Sequence, residues 1–149
     1  SRQLVDAVAV GRIREADCTP ELAIRSYRAA LGRPGEQLQS EARQRLSFAL
    51  KRSGRLSEAV SLWLDALGDH HLYPYVELAK YYEHVTRDYG QAEMIIKRAM
   101  HGLATGTIQD TSPSVRLGEL ARRLERIQRR QERVGDRAAS CPSPIQRRG

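Results

Sequence analysis

Apolar and small residues recur along this chain at the three- and four-residue steps of an amphipathic helix, in blocks separated by glycine- and proline-containing breaks. The clearest block runs from Leu46 to Leu67. Leu46, Ala49 and Leu50 share one face of a first helix, and Gly54 stands where the chain must reverse. Ala59, Leu62, Trp63, Ala66 and Leu67 then form the stripe of a second helix. The small Ala59 and Ala66 flank the large Trp63, so a neighbouring helix can come close on either side of a bulky ring. Neither helix can bury its stripe alone, which directs attention to copies elsewhere in the chain.

The same periodicity predicts five further helices. The first covers Leu4 to Asp17 and is interrupted at Cys18-Thr19-Pro20. Thr19 is suited to an N-cap, with Pro20 at the first helical position, where its missing N–H costs nothing. Ala23, Tyr27, Ala30 and Leu31 stripe the second helix, which Gly32 and Pro34-Gly35 end. The third is predicted over Glu36 to Arg52 and the fourth over Ser57 to Leu67. The fifth opens near Pro74 and carries Val76, Leu78, Ala79, Tyr81, Tyr82 and Val85, with Tyr82 expected in the core. After a turn at Arg87 to Gly90, the sixth holds Ala92, Ile95, Ile96, Ala99 and Met100 and ends near His101-Gly102. A loop from Ala104 to Ser112 leads to a seventh helix over residues 113–133, striped by Leu117, Leu120, Leu124, Ile127 and Gln131. Residues 134–149 have no periodicity and are expected to form a basic, disordered tail.

The second helices of each pair superimpose in sequence. Ala23, Tyr27 and Ala30 match Ala59, Trp63 and Ala66, which match Ala92, Ile96 and Ala99. In the first helices Val10-Gly11, Leu46-Ser47 and Leu78-Ala79 fall at the equivalent close-contact step. This pattern resembles the tetratricopeptide repeat, a helix–turn–helix unit of about 34 residues. The third unit carries one extra residue in its turn, and the first has Arg14 where a large apolar group is expected. The resemblance implies an all-α fold: a short right-handed αα-solenoid of three units over residues 1–133, closed by the seventh helix as a cap. The run from Pro74 to Ala99, preceded by Leu62-Trp63, also resembles the repeat tail of bacterial ribonuclease-H-like exonuclease-domain proteins. That likeness implies an accessory module of a nuclease whose catalytic acids are not in this sequence.

In such an array the first helices line a concave groove. The family pattern places Arg12, Gln44, Phe48, Lys51, Arg52, Lys80, Glu83 and His84 there, as contacts for a protein or peptide partner. Phe48 falls off the apolar stripe, either as an outward anchor or packed on a neighbouring helix. The family's carboxylate clamp needs asparagine, and this chain has none.

Charge changes the picture at one end. The whole chain has 25 Lys+Arg against 18 Asp+Glu, a formal +7. Up to Asp110, 15 basic residues nearly balance 14 acidic ones; from Thr111 onward ten arginines face four acids. Arg122, Arg123, Arg126, Arg129, Arg130 and Arg133 crowd the end of the seventh helix, a run that contacts nucleic-acid phosphates or solvates the face, with Arg122, Arg126, Arg129, Arg130 and Arg133 the candidate phosphate contacts. Glu119, Glu125 and Glu132 neutralise part of that run.

Candidate chemistry adds little. Cys18 and Cys141 lie far apart and read as free thiols, and His70-His71, His84 and His101 lack ligand spacing. There is no phosphate-binding glycine loop, nucleophile elbow or HExxH motif, so no enzyme activity, metal or cofactor is expected within these residues. No run approaches the about 18 apolar residues of a membrane span. The opening SRQLVDAVAV lacks the build of a signal peptide, which leads to the expectation of a cytoplasmic protein. A start without Met, straight into amphipathic sequence, is what a piece of a longer polypeptide would show. The resulting expectation is a non-catalytic interaction module, with a nucleic-acid-handling accessory as the alternative. Self-association through the seventh helix remains open.

Overall fold

The computed structural model describes Ala9, residues 20–32 and residues 35–140. Arg12, Arg14, Thr19, both cysteines, the predicted first helix apart from Ala9, and residues 141–149 lie outside them. Every element among the described residues is helical. They are α1 (Pro20–Leu31), α2 (Glu36–Arg52), α3 (Leu56–Asp65), α4 (Tyr73–His84), α5 (Tyr89–Thr105) and α6 (Pro113–Ser140), with a single 3₁₀ turn at Ala66–Gly68 after α3. None of these helices is long and apolar enough to cross a membrane. The chain divides into two compact units, Ser1–Ala66 and Leu67–Gly149.

In the first unit α2 packs against both α1 and α3. Of the predicted stripes, Ala23, Tyr27 and Ala30 on α1, Leu46, Ala49 and Leu50 on α2, and Ala59 and Trp63 on α3 are buried, joined by Ile24 and Ala42, while Leu31, Leu62 and Leu67 are half-buried. Four of these contacts come from alanines with no exposed surface, which lets the helix backbones approach closely. Trp63, only 1% exposed, is the largest buried side chain of the unit. The ammonium of Lys51 lies 5.9 Å from its ring centroid. The α2–α3 turn is three residues, Ser53, Gly54 and Arg55, and Gly54 takes φ +80°. That left-handed conformation is the one glycine adopts without steric cost. Arg55 Nε then meets Glu58 Oε2 at 2.6 Å, and its Nη1 lies 3.6 Å from Glu21 Oε2 on α1. These partly exposed pairs fix orientation more than they stabilise.

In the second unit α5 packs against both α4 and α6. The α4–α5 turn has four residues, Val85 to Asp88, one more than the α2–α3 turn, as the sequence alignment predicts. Arg87 holds the left-handed position, φ 54°, that Gly54 fills in the other turn. Asp88 caps α5 by accepting the Gln91 N–H at 3.1 Å. The α5 stripe of Ala92, Ile95, Ile96, Ala99 and Leu103 is buried, as are Leu120 and Ile127 of α6. Two assignments on α4 differ from the sequence reading. Tyr82 is half-buried and Val85 is 56% exposed, while Tyr75 is buried and donates its hydroxyl to Leu67 O at 2.9 Å. Leu78 and Ala79 are fully buried as the spacing requires, so the helical phase holds; α4 ends at His84, which leaves Val85 in the turn, and Tyr82 lies at the edge of the buried face.

Helix α5 runs past Gly102 to Thr105, further than expected, because Gly102 is a packing site and not a stop. Ile108 folds back over it, with its N–H donated to Gly102 O at 2.9 Å and its side chain 4% exposed. A Cβ at Gly102 would fall 2.6 Å from Ile108 Cδ1 and 2.7 Å from Cγ1. Gly102→Ala is therefore expected to cost about 1–3 kcal/mol of stability through overpacking. The double variant with Ile108→Ala should cost less than the sum of the two single changes. Urea titration of the four proteins reads both numbers. The same loop is stapled to the start of the unit. His70 Nδ1 donates to Thr107 O at 2.9 Å, and Gln109 N–H to His70 O at 3.0 Å. Because a carbonyl only accepts, this contact places a proton on Nδ1.

Helix α6 also departs from expectation. It continues to Ser140, seven residues beyond the predicted end and into the segment read as disordered. From Gln131 onward every described position is exposed.

Candidate functional site

The last turn of α4 and the middle of α6 meet at one carboxylate. Val76, Lys80 and Glu83 follow the three/four spacing of one helical face. On α6, Arg123, Arg126 and Arg130 stand at i, i+3 and i+7, also one face, beside the apolar stripe of Leu120 and Ile127. All three carry their guanidinium heads to Glu83.

Glu83 has no exposed side-chain surface. Its Oε2 accepts Nη1–H of Arg123 at 2.8 Å and Nη2–H of Arg126 at 3.3 Å. Oε1 accepts Nε–H of Arg126 at 2.9 Å, and Arg130 Nη1 lies 3.3 Å away. Arg126 thus grips the carboxylate with two nitrogens, the geometry that suits a guanidinium best. His84 Nε2 is 3.6 Å from Oε2. Burial pushes the Glu83 carboxyl up, but the Arg126 hydrogen bond and the charges of Arg126, His84 and Arg123 outweigh it. The net effect is a carboxyl below its ordinary range. Arg126 is held above its ordinary range by the hydrogen bond to Glu83. A second tie lies one helix over: Gln128 of α6 donates to Glu93 Oε1 of α5 at 3.2 Å, and Lys97 approaches the same oxygen at 2.6 Å.

Beside the cluster a cleft of about 400 Å³ opens, lined by Val76, Glu119, Leu120, Arg122, Arg123 and Arg126. Arg122 and Arg126 border it from the exposed side, and half-buried Val76 gives it an apolar edge beside the nearly buried Leu120. Glu119 is drawn off by Arg116, whose Nη1 lies 3.0 Å from its Oε2. A different groove of about 440 Å³ in the same unit is lined by Tyr75, Met94, Lys97, Arg98, His101, Gly102, Thr107 and Ile108. There the Arg98 guanidinium sits 5.9 Å from the Tyr75 ring centroid.

The residues picked out from the sequence fall into separate groups. Glu83 is a correction: it is not an open groove position but the buried centre of the arginine cluster. Arg126 and Arg130, read as phosphate contacts, are engaged with Glu83, and Arg129 lies 3.8 Å from Glu125. Arg122 and Arg133 are exposed. Lys80 donates to Glu77 Oε1 at 2.8 Å. His84 is exposed beside Glu83. On α2, Gln44 and Phe48 are half-buried, and Lys51 and Arg52 are exposed at its C-terminal end. Arg123, the shortest contact to Glu83, belongs to the arginine run that the sequence offers as phosphate contacts; its pairing with Glu83 is what the sequence reading lacks. Its signal was the i, i+3, i+7 spacing of arginines opposite an acid ending a helix. Among the described residues no group of three or more His, Cys, Asp or Glu is placed to hold a metal ion.

Comparison with protein-family models, with curated proteins and with solved structures found no match. Side-chain geometry therefore carries the functional reading.

Proposed function

We propose that this chain is a non-catalytic interaction module built of tetratricopeptide-like repeats of the αα-solenoid class, whose task is to bind a protein or peptide partner. One observation supports this above the others. The three repeat-equivalent triplets have the same burial: Ala23, Tyr27 and Ala30, then Ala59, Trp63 and Ala66, then Ala92, Ile96 and Ala99, each at 0–1% exposure. An identical burial pattern at repeat spacing is what stacked units require, and it leaves the residues of the first helix in each pair for recognition. The test uses the full chain on a matrix beside its Phe48→Ala/Lys51→Ala variant. A partner recovered by the first, and rebinding it in purified form but not the variant, supports the proposal. Equal recovery by both counts against it.

A second reading, an accessory nucleic-acid-handling module, draws on Arg122, Arg129 and Arg133 along the exposed side of α6. Binding of an oligonucleotide that weakens steeply with salt and is lost in Arg129→Gln/Arg133→Gln would favour it. Point changes are preferable to truncation here, because removing α6 would bare the α5 stripe.

A further inference from the structure

We infer that the cleft between α4 and the arginine face of α6 is a recognition site for an acidic peptide segment, with one carboxylate seated against Arg122 and Arg126 and an apolar side chain against Val76. The inference rests on the reading of the chain as an interaction module and names the chemistry of its partner.

The charge balance at the site comes first. One carboxylate, Glu83, faces three guanidiniums, so two positive charges are left over before Arg122 is counted. Glu119, the only acid lining the cleft, is already paired with Arg116. The donor count points the same way. A carboxylate offers about four lone-pair sites and a guanidinium five N–H donors. Glu83 already takes contacts from Arg123, Arg126 and Arg130, so most of their donors face elsewhere, and those of Arg123 and Arg126 border the cleft.

Rigidity is the second point. An arginine free in water loses rotamer entropy when it binds an anion. Arg123 and Arg126 have had that freedom removed by Glu83, which is buried and cannot follow a ligand out. The buried acid acts as an internal template that aims the forks before a partner arrives.

The shape selects among anionic partners. At about 400 Å³ the cleft is near the small end of ligand sites and accepts a few side chains. Its lining is mostly polar, with half-buried Val76 as an apolar edge that a leucine or valine would cover and a phosphodiester backbone would leave unused. Along α6 the positive face is interrupted by Glu119, Glu125, Glu132 and Asp136, so a regular array of phosphates meets acids as well as arginines.

The test is a fluorescence-anisotropy titration of the full chain at low salt with three labelled probes. These are a short peptide alternating glutamate and leucine, the same peptide with glutamine for glutamate, and a single-stranded oligonucleotide. The acidic peptide should bind at least about tenfold more tightly than the neutral one, tenfold being about 1.4 kcal/mol. Arg122→Ala, an exposed change that leaves the Glu83 contacts in place, should weaken the acidic peptide by a similar factor. Arg122→Lys should restore only part of the loss, since it returns charge without the fork. Equal affinity for acidic and neutral peptides, tighter binding of the oligonucleotide, or indifference to Arg122→Ala would each overturn the inference. If the cleft fails these tests while a partner is still captured through Phe48 and Lys51, the interaction-module reading stands and this site alone falls.

Discussion

Replacing Glu83 by alanine should lower the unfolding free energy of the second unit by about 2–3 kcal/mol, somewhat less than the loss of a fully buried ion pair. The discount has a structural reason. Glu83 itself is fully enclosed, but Arg123, Arg126 and Arg130 keep 21%, 48% and 39% of their side chains in solvent. Stripped of their acid, the three guanidiniums repel one another and can partly escape to water, at the expense of packing between α4 and α6. Glu83→Gln keeps the shape and loses the charge, and should fall between wild type and alanine. A double-mutant cycle of Glu83→Gln with Arg126→Gln should show a coupling above about 1 kcal/mol, because the two share a direct bidentate contact. The pH dependence follows from the same contact. The folded carboxyl lies below its unfolded value, so in that interval the unfolded chain binds more protons than the folded one. Stability from Glu83 is therefore complete above the ordinary carboxylate range and is lost as pH falls through the depressed folded value. The acid limb of a stability profile should be shallower in Glu83→Gln, and a limb identical to wild type would remove Glu83 from the account.

The other large effect belongs to the first unit. Trp63→Ala is expected to cost about 3–5 kcal/mol, the range for emptying a buried aromatic site. Trp63 has essentially no exposed surface and is flanked by Ala59 and Ala66, themselves fully buried. An alanine side chain is a single methyl that cannot swing into a void, so little collapse is available to soften the loss. Trp63→Phe should cost much less, since the aromatic face beneath Lys51 persists. The indole Nε1 finds no hydrogen-bond partner among the described residues, so phenylalanine gives up no bond there. Denaturant titration followed by circular dichroism reads both variants, since each lacks the only tryptophan fluorophore.

What the sequence made legible was whatever depends on period. The buried triplets of two alanines around a large apolar residue, the reversal at Gly54 and the extra residue between α4 and α5 all follow from spacing, and the structure has each of them. Partnerships across the chain were not legible. Glu83 falls on a helical face that the repeat pattern assigns to the open groove. Nothing local distinguishes it from an exposed acid until arginines forty residues away arrive above it. Gly102 misled for a related reason. A glycine near a helix end reads as a stop, whereas here the missing side chain makes room for Ile108. Residues 134–140 depart from expectation because continuity outweighs composition there: they are poor helix starters, but they extend a helix already begun.

That extension has its own thermodynamics. Ten residues, Gln131 to Ser140, add about 15 Å of rod beyond the last arginine that touches Glu83. A segment of that size could not nucleate in water by itself, so it borrows its order from the anchored turns behind it. Its amides should lose hydrogen-exchange protection progressively toward Ser140, a fraying end whose length is set by how firmly one buried acid holds its root.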